Sequence, residues 1–436
     1  MTLSHVWRPD IEGRTYRPSL ADLFSYGFRP FFLAASVYAA VLMVVWITWV
    51  ASAMSGASAG WLPVAGSPFA WHAHEFVFGF AAAAIAGFLL TAVPNWTGAL
   101  PLSGAPLVVL FVTWVAGRVV LGLSALLPQS IVAAVDVAFL PLLAGFAARQ
   151  LFVKPAARNL VFLLLLAIMT AANAVFHFAT AGYIVIDPLA AVRAALLVVA
   201  LMITVIGGRI VPSFTHNWLH LNRPVSPMPR RVPWLDAASI ASVAVTAVLI
   251  ICAAPQILIG LAALAAAGVN AARLYLWRGL ATRSEPIVWI LHLGYAWIVA
   301  GLALSAVAAL TNSVPASLAF HAFGTGAGGT MILAVMSRAA LGHTGRPIAA
   351  APLIVWAYAL VTLAAVLRVF GPLILPQQTH VTLTAAALAC APMPLTITRP
   401  RQSRIRETAA RKRSSSRSIS ARTSSASMVS TLRASS

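Results

Sequence analysis

Trp71-His72-Ala73-His74-Glu75 sets two imidazoles and a carboxylate at the mouth of the apolar run Phe76 to Val93, which Pro94-Asn95-Trp96-Thr97-Gly98 closes. A neutral imidazole is the commonest metal ligand and suits copper and iron. Ionisable groups at the depth of a membrane span are costly in hydrocarbon and mark functional sites. On a regular helix, residues two apart point about 200° away from each other. His72 and His74 therefore share one ligand only if the chain is extended there. Glu75 is placed to orient His74 as a carboxylate orients a metal-bound imidazole. The plainer reading is an interfacial cap, with Trp71 in an aromatic belt and the histidines hydrated.

Other residues can join this mouth. His177 follows Asn173 by one turn, on the same helix face. His321 precedes Ala322-Phe323-Gly324-Thr325-Gly326-Ala327-Gly328-Gly329-Thr330. Such small residues serve either tight helix packing or room for the face of a macrocycle. Paired axial histidines from two helices would hold a haem. Met331 and Met336 are soft enough for copper but are the usual filling of a core. Asp136 reads as a proton-pathway or orienting acid, or as a buried acid paired with Arg118. Arg29, Arg209, Arg338 and Arg346 form a basic set toward the other end of the spans. Arg209 is placed there either for a haem propionate or for snorkelling.

The elements that position these residues follow from composition. The chain has 436 residues, 61% hydrophobic and 9% charged. Soluble domains carry about 25% charged residues, so water cannot be the only solvent. Stretches long enough to span fall at about 31–51, 72–93, 106–123, 131–148, 160–181, 189–211, 235–254, 257–276, 287–310, 318–337 and 351–370. A weaker one lies at about 380–397. The expectation is an all-α polytopic membrane protein, a bundle of about twelve transmembrane helices. The first thirty residues carry Arg8, Asp10, Glu12, Arg14, Arg17, Asp22 and Arg29 and do not have the form of a cleaved signal peptide. Cys252 and Cys390 form no metal-type spacing and no disulfide framework.

The net charge of +20 suggests nucleic acid, but its distribution does not. From Arg399 onward, nine arginines and Lys412 face one acid, Glu407, so the tail holds +9 of the total. Most of the rest lies in loops after spans 4, 6, 8 and 10. These loops share one side in a twelve-span arrangement, which the positive-inside rule makes the cytoplasm. Both termini then lie in the cytoplasm. His72, His74, His177 and His321 form an outer set; His216, His220, His292 and His343 form an inner one. Three parts are expected: a cytoplasmic arm 1–30, a transmembrane domain 31–390, and a basic, disordered Ser/Arg-rich tail 391–436. The break at Cys390-Ala391-Pro392-Met393-Pro394 reads as a reading-frame shift. Spacing also hints at a repeat. Gly79 and Gly98 follow His74 by five and twenty-four residues, as Gly326 and Gly345 follow His321. Parallel duplication and coincidence in Gly/Ala-rich helices both fit.

Several polar strings within these spans resemble the NnrS family of bacterial membrane proteins. They are Gly27-Phe28-Arg29-Pro30-Phe31-Phe32, His72-Ala73-His74-Glu75 with Phe78-Gly79-Phe80, Gly87 through Gly98, Gly207-Gly208-Arg209 with Pro212-Ser213-Phe214-Thr215, and Met336-Ser337-Arg338 through Leu341-Gly342-His343-Thr344-Gly345-Arg346-Pro347. The resemblance excludes the tail. It implies a multi-pass inner-membrane protein that contains haem and copper and is linked to nitric oxide metabolism and nitrosative-stress resistance, often in denitrifiers. It assigns no ligand residue by residue. From the residues, the candidate cofactor ligands are His72, His74, His177 and His321, with Arg29, Arg209 and Arg338 beside the cofactor and Glu75 with the metal. The expected partners are the lipid bilayer, haem, copper, and nitric oxide or a metal-nitrosyl species. One rival is a twelve-span secondary transporter for a metal or metal complex. Another is a haem–copper oxidase or reductase, which needs about six clustered histidines; the four-and-four division opposes it. A third is an assembly partner with no cofactor.

Overall fold

A computed structural model of the chain describes residues 19–56 and 60–375, with Thr382, Ala385, Ala386 and Ala389 beyond them. Every regular element among the described residues is helical. Eleven helices are long and apolar enough to cross a membrane. They are α1 (Phe28–Met54), α2 (Pro68–Thr97), α3 (Ala105–Gly122), α4 (Gln129–Leu151), α5 (Ala157–Thr180), α6 (Pro188–Asn222), α7 (Pro233–Ile251), α8 (Gln256–Leu276), α9 (Pro286–Thr311), α10 (Ala316–His343) and α11 (Pro352–Ile374). The four residues beyond α11 are also helical, and the backbone at Gly371 comes close to the buried Thr382. Most of the twelfth span expected at about 380–397 lies outside the described residues. So do the tail, the suspected frame shift and residues 1–18 of the arm.

Hydrogen bonds between connectors fix which of them share an end of the bundle. Gly104 donates to Phe24, and Gln150 to Leu100, joining the start of the chain, the α2–α3 connector and the end of α4. Arg230 donates to Leu276, joining the α6–α7 connector to the end of α8. At the opposite end, Ala125 donates to Pro63, and Ala65 to Ser124. Lys154, Arg223, Arg230, Arg231, Arg278, Arg283 and Arg346 all lie in connectors at the first end. Among the described connectors of the other end, Asp187 is the charged residue. The charge asymmetry expected from the sequence is therefore a property of the folded bundle.

The most buried spans are α2, α6, α9 and α10, and they form the centre. Two of them depart from the α-helix in the same way. α2 widens into a π-helix over Glu75–Ala81, and α10 over Ala322–Gly329, each directly after its histidine. π segments carry an extra residue per turn and recur at functional sites. Here they touch each other. Each holds a glycine that admits a ring from the preceding span. A Cβ at Gly79 would meet Tyr38 of α1 at 2.7 Å, and one at Gly326 would meet Trp297 of α9 at 2.5 Å. Gly98 and Gly345 then take left-handed backbone, φ 75° and 65°. Spacing, helix type and glycine contact thus match between α2 and α10.

Two local features differ from the sequence reading. α2 starts at Pro68, with Ser67 as its N-cap accepting from Phe69. Proline at the first helical position is favourable because its missing N–H needs no partner. His72 and His74 therefore lie on a regular turn, not on an extended mouth. The expected inner loop after residue 211 is instead helix as far as Asn222. Pro212 forfeits one backbone bond, and the carbonyl it would crowd belongs to Gly208, where no side chain hinders the adjustment.

Candidate functional site

α2 presents its two histidines to opposite sides, as the helical period requires. His74 and Glu75 are fully buried and face α3, α4 and α5. The ring of His74 lies between Phe78 and Phe176, at 4.7 Å and 4.3 Å. Its Nδ1 is 3.1 Å from Glu75 Oε1, and its Nε2 is 2.8 Å from Asn173 Oδ1. Arg118 of α3 donates to both Glu75 and Asp136, and Tyr38 donates to Glu75. Asp136 of α4 also receives Asn173 Nδ2 at 2.9 Å and His177 Nε2 at 2.8 Å. A turn break follows at Ala138, where Pro141 prevents the helix from bonding back to Val137. Five helices thus converge on one guanidinium, two carboxylates and two imidazoles.

Bond directions fix the chemistry of this cluster. Asp136 accepts only, so the amide nitrogen of Asn173 faces it and the amide oxygen faces His74. His74 then meets an acceptor at each ring nitrogen. Either the imidazole carries both protons or Glu75 carries one. In both cases one proton sits between His74 and Glu75, and the group formed with Arg118 and Asp136 is neutral. Neutrality is what makes such burial tolerable, because an uncompensated charge at this depth costs several kcal/mol, roughly 3–5. A second contact of Gly79 also belongs here: Trp114 donates to Gly79 O at 3.0 Å, a carbonyl that also accepts from the Ala82 backbone.

Among the described residues, His74, Asp136 and His177 are the one group of three metal-type donors whose ligand atoms lie within 4.8 Å of one another. A pocket of about 270 Å³ opens just above them, lined by Ser67, Ala70, Phe176, Thr180 and Asp187. Phe176 lies between that pocket and the His74 ring.

His72 belongs to a second place. Its ring stacks on Trp46 of α1 at 4.0 Å and meets Phe76 at 4.9 Å in a tilted contact. Its Nδ1 is buried with no hydrogen-bond partner, a state that costs about 1–3 kcal/mol unless a ligand relieves it. His321 of α10 lies within electrostatic reach of His72, and Arg368 of α11 lies within reach of both. His321 Nδ1 is 2.7 Å from the Ser317 carbonyl. The carbonyl only accepts, so the proton is on Nδ1 and the Nε2 lone pair is free.

The structure therefore divides the outer four histidines in two: His74 with His177, and His72 with His321. The inner four do not gather into one site. His292 bonds Thr215 at 2.8 Å, His343 packs on Tyr26 and Phe28, and His216 and His220 stack on each other at the exposed end of α6. Arg29 donates to the Asp22 carbonyl. Arg209 bonds Asn159 and the Arg158 carbonyl and lies over Trp96 and Phe162. Arg338 lies 3.7 Å over Phe214. These three arginines sit at the end of the bundle opposite the outer histidines. Met331 and Met336 are buried filling. Arg368, Tyr38 and Trp46 carry no signal in the sequence, since each acts across helices; Asn173 and Arg118 were legible as partners.

The fold and these two places define an all-helical, multi-pass membrane protein with ionisable side chains buried between its central spans. The chain belongs to the NnrS protein family: the family model matches residues 22–397, ending before Arg399, the first arginine of the tail. A comparison with curated proteins finds no match.

Proposed function

We propose that this NnrS family member holds haem and copper in the bacterial inner membrane and acts in nitric oxide metabolism and nitrosative-stress resistance. The observation that carries the reading is the pairing of imidazoles between spans at one depth in a chain of this family. The donors suit the groups. His74, Asp136 and His177 offer two imidazole nitrogens and a carboxylate oxygen, a set that copper accepts. In binding, His74 would release Asn173, and Arg118 would keep the other oxygen of Asp136. Glu75 orients His74 in either state. When bound, haem iron and copper supply centres that coordinate nitric oxide, a small apolar molecule that dissolves in the bilayer. The protein's part is to exclude water, fix the imidazoles and balance charge. Arg29, Arg209 and Arg338 then serve the cytoplasmic end of the same bundle.

The test is an absorption spectrum with metal analysis of the detergent-purified protein. A haem Soret band together with bound copper is expected. Their joint absence would end the cofactor reading. The matched spacing after His74 and His321 also suits a secondary transporter, and uptake of copper or haem into proteoliposomes separates the two: a stress protein that retains its cofactors shows none.

A further inference from the structure

We propose that His72 and His321 are the two axial ligands of a haem seated between α2 and α10, and that Arg368 holds one of its propionates. The inference rests on the haem reading above and names the site within it. Three features meet there. His72 has a buried ring nitrogen with no hydrogen-bond partner, and its ring stacks on Trp46 and touches Phe76. His321 is held by Ser317 in the tautomer that leaves Nε2 free for a metal. Arg368 is a half-buried cation that forms no hydrogen bond or ion pair with any described residue, and no carboxylate of the described residues acts on it.

Two imidazoles and a guanidinium within electrostatic reach of one another, with no acid of the described residues acting on them, do not stabilise one another. Each is instead complementary to something absent from the polypeptide: a metal for the imidazoles and an anion for the guanidinium. A haem supplies both in one rigid molecule. Next to His321, Gly324 leaves room on α10, since a Cβ there would meet nothing nearer than Leu196 at 3.8 Å. The contrast with the His74 cluster is chemical. There both cations face carboxylates of the protein; here one imidazole nitrogen and the guanidinium have no partner among the described residues. His321 directly precedes the π segment of α10, His72 lies three residues before that of α2, and the two segments touch.

The experiment uses the full chain purified in detergent, with haem quantified chemically and its spin state read by optical and electron paramagnetic resonance spectra. The parent is expected to carry low-spin haem. His72→Ala and His321→Ala should each convert it to a high-spin form or lose it, while His216→Ala should leave the spectrum unchanged. His321→Gly with added imidazole should regain the low-spin spectrum, which separates a ligand from a residue needed only for folding. Arg368→Gln should release haem to an apoprotein acceptor about tenfold faster than the parent. Haem present with an unchanged low-spin spectrum in both alanine variants would overturn the assignment while leaving the haem reading intact. Unchanged release from Arg368→Gln would overturn the propionate contact. A parent with no haem would overturn both the reading and the site.

Discussion

Arg118 is the residue on which the buried cluster depends. Among the described residues it is the one guanidinium bonded to Glu75 and Asp136, and both acids are buried. Removing one partner of a buried ion pair leaves the others uncompensated and costs about 3–5 kcal/mol. Arg118→Leu should therefore lower the thermal stability of the detergent-solubilised protein by that order. Adding Glu75→Gln and Asp136→Asn to Arg118→Leu should recover part of the loss, because the charges that needed the guanidinium are gone. A triple variant less stable than the single one would mean that shape, not charge, sets the role of these residues. The sequence left Asp136 with two readings, and the pair with Arg118 is the one the fold adopts. It could not indicate that Glu75 shares the same guanidinium, since that depends on how α2 and α3 face each other.

At the scale of elements, the two π segments set the geometry. Between helices in lipid no hydrophobic force drives packing, so close approach depends on small residues and hydrogen bonds. Gly79 and Gly326 provide that approach for Tyr38 and Trp297. Gly79→Ala and Gly326→Ala should each destabilise the protein by about 1–3 kcal/mol through overpacking. Gly268→Ala, exposed and with nothing within 4 Å of the added carbon, should be neutral or stabilising by up to about 1 kcal/mol. Thermal unfolding of the three variants in one detergent checks this. Equal effects at all three sites would remove the special role of the π-segment glycines. The spacing of these glycines after His74 and His321 was visible in the sequence as a hint of repetition. The π geometry itself was not, because no residue pattern distinguishes a widened turn from an ordinary one; neighbouring side chains impose it.

At the scale of the whole molecule, the charges of the connectors divide cleanly between the two ends. The positive-inside rule puts the arginine-bearing end in the cytoplasm. Cys252, exposed in the α7–α8 connector at the other end, should then react with a membrane-impermeant maleimide added to intact spheroplasts carrying Cys390→Ala. Labelling only after permeabilisation would invert the orientation.

The sequence by itself determined the solvent, the number of described spans, the sidedness of the basic connectors and the divergence of His72 from His74. Each of these follows from composition or from the period of a single helix, which neighbouring segments do not alter. The tertiary structure alone decided which histidines meet. His74 joins His177 through Asp136 and Asn173, whereas His72 meets His321 beside Arg368. Such pairings join residues far apart in the chain and depend on the rotation of one helix against another. That rotation is set by glycine-sized gaps and buried hydrogen bonds summed over the whole bundle, so no single segment encodes it.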